Sequence, residues 1–299
     1  MNNFHIPVLL NESIDGLAIK PNGLYVDVTF GGGGHSKEIL NVLKKGKLFA
    51  FDQDADAIKN EIKDDDRFIL IHDNFRNIKK ALEKYNIVSV DGIIADLGVS
   101  AYHFSDNNRG FSLNYDAPID MRMSDKISKT GSFILNNYSQ LNLNRIFKNH
   151  ADFNSPNLIS GPIIRARSIN KIITTRDLKG IFSGISTKNN IKFLARIFQA
   201  IRMEVNQEIE SLKELLMQTL DLLNPSGRLV VISYHSLEDR VVKKFMKCGN
   251  VSGEIDKDFF GNFTNPFVPI TKKPLVPSIN EINSNNKSRS AKLRICQKK

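Results

Sequence analysis

Tyr25-Val-Asp-Val-Thr-Phe-Gly-Gly-Gly-Gly-His-Ser36 runs from a strand-like apolar stretch into four consecutive glycines and then into a helical pattern. Glycines let the backbone take positive φ and let a ligand come close, at a cost in conformational entropy that a bare turn does not repay. Working outward, residues 25–30 read as a strand and about 36–43 as its helix. Residues 47–51 read as a second strand ending at Asp52, 55–62 as its helix, 67–72 as a third strand and 90–95 as a fourth ending at Asp96. Strands alternating with helices predict an α/β fold, with a parallel sheet that binds ligands at the carboxyl ends of its strands.

The rhythm then stops. Residues 107–191 are polar and rich in Asn, Ser, Lys and Arg, with apolar residues at helical spacing. The expectation is a helical domain inserted after the fourth strand, so that 1–106 and 192–299 form the sheet domain. Phe193, Ile197, Ile201, Val205, Ile209, Leu212, Leu216 and Leu220 form one stripe at three- or four-residue spacing and predict a single long helix. Asn224-Pro-Ser-Gly227 ends it, 228–234 reads as a fifth strand and 237–247 as a helix. Residues 267–271 and 292–296 read as the last strands, with the polar stretch ending at 280–290 as a loop.

Composition narrows the partners. The chain has 299 residues, with 42 Lys and Arg against 32 Asp and Glu, a net charge of +10. Such a balance favours a polyanion, because cations displace condensed counterions from phosphates. Two cysteines, Cys248 and Cys296, give neither a disulfide framework nor a metal pattern. No apolar run reaches the roughly 18 residues of a membrane span. The opening Met-Asn-Asn-Phe-His-Ile-Pro lacks the regions of a signal peptide, so the cytoplasm is the expected location.

The glycine turn discriminates among cofactors. A phosphate-binding P-loop fails, because Ser36 stands five residues after Gly31 where a glycine followed by Lys is required. A dinucleotide fingerprint also fails, since its third glycine would be Ser36 or Lys37. An acidic residue before the turn, Asp27, suits S-adenosylmethionine, which has no phosphate and needs close backbone approach with carboxylates nearby. Asp52 can accept both ribose hydroxyls, as it could for a nicotinamide cofactor, whereas Asp54 and Asp56 fit capping or solvated roles. Phe75 after the third strand is either core or a face for adenine.

Asp96-Leu-Gly-Val-Ser100 stands where amino-group methyltransferases carry Asp or Asn followed by Pro-Pro-aromatic. A cytosine amine shares its lone pair with the ring. A carboxylate at Asp96 and the Leu97 carbonyl, accepting its two hydrogens, would free that pair for attack. Asp96 could instead serve only the cofactor, and both readings stay open here. Val99 cannot stack on a base, so Tyr102, Phe104 or Tyr234 would supply the platform.

These segments together resemble the bacterial 16S ribosomal RNA cytosine-N(4) methyltransferases over nearly the whole chain. The resemblance rests on residues 5–12, 27–36 and 91–100, on Arg109-Gly-Phe-Ser112, Asp120-Met-Arg-Met123, 196–202 and Glu204-Val-Asn206, and on 233–240 and 290–294. It implies a Rossmann-like class I methyltransferase sheet with an inserted all-helical, substrate-recognising domain, S-adenosylmethionine as cofactor, and 16S RNA of the small ribosomal subunit near the P site as substrate. It implies cofactor contacts at Gly33, Gly34, His35, Asp52, Phe75, Asp96 and His103, with Asp96 catalytic. His103 stands where the family has Gln, His150-Ala-Asp-Phe153 replaces a Gly-Glu-Glu patch, and Asn286 replaces a Pro.

Chemistry alone suggests further candidates. His235 and Ser236 end the fifth strand and could line a cytidine pocket with Tyr234; no GxSxG accompanies them, which argues against a hydrolase. Glu238, Asp239 and Arg240 fit helix-start and ion-pair roles. Arg109, Arg122 and Arg202 could be phosphate ligands or structural ion pairs. Arg165, Arg167, Lys171 and Arg176 cluster with few acids and are RNA candidates. A nicotinamide oxidoreductase and a non-catalytic RNA-binding protein are the rivals, opposed by the failed dinucleotide fingerprint and by Asp52 with Asp96. Neither metal nor membrane is called for; the oligomeric state stays open, with a homodimer as the candidate.

Overall fold

The computed structural model describes residues 7–99, 103–104, 106–184, 190–255, 261, 263 and 265–299. The chain divides into two compact units, one made of Met1–Gly98 with Ile209–Lys299 and the other of Val99–Glu208.

The first unit is built on a seven-stranded sheet in the order β3-β2-β1-β4-β5-β7-β6. Its strands are β1 (Leu24–Asp27), β2 (Lys47–Asp52), β3 (Phe68–His72), β4 (Val90–Asp96), β5 (Leu223–Ser233), β6 (Phe267–Pro269) and β7 (Lys292–Lys298). β1 to β5 pair in parallel, and β7 runs antiparallel to both β5 and β6. Successive residues bury on opposite faces, as the period of two demands. Val26, Phe49, Phe51, Ile93 and Ala95 belong to one core, and Tyr25, Leu48, Ala50 and Ile94 to the other. Both faces are therefore covered, which explains why these strands are continuously apolar. The chain leaves β1 towards β2 and β3 on one side, and β4 and β5 lie on the other. The order reverses between β1 and β4, the crevice where such sheets receive ligands.

The second unit is helical, with helices Gly131–Asn137, Gln140–Ala151, Asn157–Ile169, Thr175–Ile181 and Asn190–Asn206 around Ile134, Leu143, Phe147, Ile163, Leu178, Ile197 and Ile201. Thr174 starts one of them with a capping box closed by Asp177.

Four expectations are corrected. The single long helix is two, Asn190–Asn206 and Glu208–Leu222, broken at Gln207 with φ of 50°. Apolar spacing runs through the break unaltered, so periodicity cannot see one left-handed residue. The compact helical unit spans Val99–Glu208 where composition gave 107–191. Composition marks only its polar part, while Leu194, Ile197 and Ile201 of its last helix are core residues. The stretch expected to be a loop holds helix Ile279–Ser284 and a 3-10 turn Asn286–Ser290. Its start signal is legible, for Ser278 accepts from the Glu281 amide at 3.1 Å in a Ser-x-x-Glu pattern. The helix after β2 is shorter than read, covering only Ala55–Ile58.

Candidate functional site

The glycine turn closes where β1 meets the helix Gly34–Val42, and its four glycines differ in what they do. Gly31 and Gly33 take positive φ, 52° and 75°. A Cβ on Gly33 would meet the Phe30 ring at 2.9 Å, and one on Gly34 would meet Pro7 at 2.1 Å. A Cβ on Gly32 would meet nothing within 4 Å, so backbone is presented openly at that residue. Asp27 is buried beneath the turn and braces it, accepting from the Thr29 amide at 3.0 Å and from the Ser36 hydroxyl at 2.7 Å. Burial raises its carboxyl pKa, against the stabilising His35 charge and these bonds. Its role is internal, unlike the ligand contact that its place in the sequence suggested.

Asp52 ends β2 beside the turn. One carboxylate oxygen accepts from the Gly31 amide at 2.8 Å and the other from the Asp54 amide at 2.9 Å. Asn60 donates to the Gly31 carbonyl at 3.0 Å, so the turn is held from both its N–H and its C=O by the β2 side. Asp54 caps the next helix, accepting from the Asp56 amide. Phe75 opens a 3-10 turn after β3, partly buried against the core. The loops after β2 and β3 are joined, since Asn74 donates to Gln53 at 2.7 Å. Asn60, Gln53 and Asn74 were not singled out from sequence; isolated amides in loops carry no periodic signal.

Asp96 ends β4 at the switch point, its side chain 19% exposed. Its amide donates to the Thr29 hydroxyl at 2.7 Å, which joins the ends of β1 and β4. Its Oδ1 accepts from the Tyr234 hydroxyl at 2.8 Å, and its Oδ2 lies 3.9 Å from His35 Nδ1. Burial pushes the Asp96 pKa up to about 6, opposed by the His35 charge and the Tyr234 bond and assisted by Asp27 and Glu238. Such a carboxylate is ionised at neutral pH yet close enough to it to take a proton. The following Gly98 has φ of 97°, which favours glycine there.

His35 lies in the first turn of the helix Gly34–Val42. It is buried, with Nε2 3.2 Å from the Val8 carbonyl. That acceptor assigns the hydrogen to Nε2 and turns Nδ1 towards Asp96. Tyr234 presents its hydroxyl to Asp96, and its own backbone amide donates to Glu238 at 3.0 Å. His235 caps helix Ser236–Cys248, with Nδ1 accepting from the Glu238 amide at 3.3 Å and Nε2 3.1 Å from Glu238 Oε1. His235 thereby braces the Glu238 that holds the Tyr234 amide. Asp239 pairs with Arg294 at 2.6 Å and Lys292 at 3.3 Å.

Within the helical unit, the arginines sort by use. Arg167 donates to the Leu135 and Tyr138 carbonyls at 2.8 and 2.7 Å, which gives it a structural role. The carbonyls at the end of Gly131–Asn137 would otherwise lack donors. Arg122 forks onto Asp120 and Arg202 onto Glu208. Arg176 lies 3.2 Å from Asp116. Arg109 donates to the Arg122 carbonyl at 2.6 Å and lies over the Phe111 ring. His103 is buried with its ring 4.8 Å from that of Phe111. Arg165 and Lys171 are exposed. Tyr102 and Ser100 lie outside the described residues; Phe104 is 39% exposed.

Comparison with known proteins places these features in a family. The sequence model of the MraW methylase family matches residues 2–299. A protein of Flavobacterium psychrophilum named Ribosomal RNA small subunit methyltransferase H is 54% identical, covering 97% of this chain and all of the relative (100%). Proteins of that name from Flavobacterium johnsoniae and Amoebophilus asiaticus are 51% and 50% identical, over 99% and 98% of this chain and 98% and 96% of theirs. An rRNA methylase structure from Streptococcus thermophilus aligns over 98% of both chains with a TM-score of 0.43 and 15% identity, a likeness too loose to decide anything further.

Proposed function

This chain belongs to the MraW methylase family, and on that premise we propose that it methylates the exocyclic N(4) amine of a cytidine in 16S ribosomal RNA, drawing the methyl group from S-adenosylmethionine. The observation that carries the reading is the pairing at the switch point. The open glycine turn ends β1, Asp52 ends β2, and Asp96, raised towards neutrality, ends β4.

The residues present fit the cofactor. Gly32 offers backbone with no side-chain neighbour, Asp52 offers a carboxylate for ribose hydroxyls, and Phe75 offers an aromatic face for adenine. Gly33, Gly34, His35, Asp96 and His103 complete the proposed set, His35 acting through Asp96. Bound S-adenosylmethionine supplies a methyl group already activated by its sulfonium, so the chain's own work is binding, orientation and proton handling.

Asp96 performs the proton handling. Its carboxylate accepts one hydrogen of the target amine and the Leu97 carbonyl the other, which turns the nitrogen lone pair out of conjugation. On methyl transfer from a bound S-adenosylmethionine the nitrogen would gain positive charge, and Asp96 would accept the one proton it surrenders. The products are the methylated cytidine, the neutral sulfide and one proton, which Asp96 returns to solvent. No metal takes part in this scheme.

The helical unit is the proposed substrate-recognition domain, with the exposed Arg165 and Lys171 as phosphate contacts. Arg109, Tyr234 and His235 serve substrate indirectly, by ordering the loops and the carboxylate around it. The target base must leave its stack to reach Asp96, so the folded small subunit near its P site should be methylated faster than naked RNA. A cytoplasmic location and a homodimeric state belong to the same reading; sedimentation of the purified protein tests the latter. The catalytic role is tested by Asp96→Asn in single turnover at saturating cofactor. A rate lower by about a hundredfold or more is expected for losing such an electrostatic contribution. A near-normal rate with weakened cofactor affinity would move Asp96 to a binding role.

A further inference from the structure

We infer that Tyr234 is a positioning residue for the methyl-transfer carboxylate: its hydroxyl, donating to Asp96 Oδ1, fixes the rotation of that carboxylate and keeps it ionised while Oδ2 is presented to the amine. The inference rests on the proposed role of Asp96 and deepens it.

The geometry is specific. Among the described residues, Tyr234 is the hydrogen-bond donor that this carboxylate has, at 2.8 Å. His35 Nδ1 stands 3.9 Å from the other oxygen, beyond hydrogen-bond range. Among the described residues, four elements near Asp96 bear on its ionisation. The helix Gly34–Val42 contributes His35, β1 contributes Asp27, the end of β5 contributes Tyr234, and helix Ser236–Cys248 contributes Glu238. Asp27 and Glu238 are carboxylates that oppose a second negative charge, and burial opposes it further. A neutral donor on Oδ1 is therefore a principal support of the charged form.

Tyr234 is itself fixed. Its backbone amide is held by Glu238, whose own backbone amide is held by His235. Burial most of all, and the Asp96 charge beside it, raise the phenol's pKa, so the hydroxyl keeps its proton across the working range. It orients and never donates that proton away.

Tyr234→Phe keeps the ring and removes the donor. Selective ¹³C labelling of Asp carboxyl carbons, with Asp96 assigned by its loss in Asp96→Asn, reads the ionisation by NMR without turnover. The expected result is an Asp96 midpoint about one unit higher, the size typical of losing one hydrogen bond to the charged form. The acid limb of the single-turnover rate should move up by the same amount, with cofactor affinity unchanged. At a pH one unit below the new midpoint, half of the original protein's Asp96 is ionised against about a tenth in the variant, so the rate should fall about fivefold.

A second probe runs the other way. 3-Fluorotyrosine at position 234, a stronger donor, should lower the midpoint, and it serves if the Phe variant does not fold. An unmoved midpoint in both proteins overturns the inference. A midpoint that moves while the rate limb stays put also overturns it, because the bond then has no catalytic consequence. Failure of the underlying reading looks different: Asp96→Asn would turn over near-normally, whatever Tyr234 does.

Discussion

Asp52→Ala puts the cofactor assignment at greatest risk. In the structure its carboxylate holds the Gly31 and Asp54 amides at 2.8 and 2.9 Å, and in the proposed complex it also accepts the ribose hydroxyls. Hydrogen bonds to a charged group contribute about 1.5–3 kcal/mol each. Two such bonds are lost, but water entering the gap recovers part, which leaves about 2–4 kcal/mol, or roughly 30- to 700-fold in Kd at 1.4 kcal/mol per decade. The same change also unties Gly31, so the effect needs a control. Asn60→Ala unties the other side of the turn, at the Gly31 carbonyl, without touching the ribose acceptor. Titration calorimetry with S-adenosylmethionine should show the large loss for Asp52→Ala and a loss within about tenfold for Asn60→Ala, one ordinary neutral bond. Equal losses would mean that Asp52 only shapes the turn. Unchanged affinity in Asp52→Ala would remove it from the cofactor site altogether.

The helical unit yields two further expected outcomes. Asn206 is buried, its amide accepting from the Met123 N–H at 2.7 Å and donating to the Met121 carbonyl at 2.7 Å; Asn206→Leu strands both groups and should cost about 3 kcal/mol, seen as a urea midpoint lower by about 1–2 M. An unshifted midpoint would mean that the Met121 loop, with φ of 61°, holds itself. Arg167→Met should lower the thermal midpoint and leave the salt dependence of RNA binding alone, whereas Arg165→Gln should reduce the salt slope by about one and spare stability. The reverse ranking would undo the sorting of these two arginines.

The legible part of this protein was the part encoded locally. The glycine turn, Asp52 and Asp96 each stand at the carboxyl end of a strand, and strand-end chemistry is written in a few adjacent residues. Asp239, assigned an ion-pair role, does pair, and its partner Arg294 comes from β7, in the last of the matching segments. Likewise Asn206 of one matching segment clamps Met121 and Met123 of another, so these motifs are specific because they complete one another's hydrogen bonds. The features that sequence could not deliver depended on distant partners. His35 turns inward because the Val8 carbonyl takes its Nε2. Arg167 looks like an exposed cation until the Leu135 and Tyr138 carbonyls appear beside it. The break at Gln207 is a single dihedral within an uninterrupted apolar stripe.

The central claim is methyl transfer to a cytidine amine, and the most direct measurement is the identity of the product. Purified protein is incubated with methyl-labelled S-adenosylmethionine and small ribosomal subunits lacking the modification. The RNA is then digested to nucleosides and separated by mass spectrometry against authentic standards. Label is expected in N(4)-methylcytidine alone, and none with Asp96→Asn. Label in a carbon-methylated or ribose-methylated nucleoside, or none in the presence of bound cofactor, would contradict it.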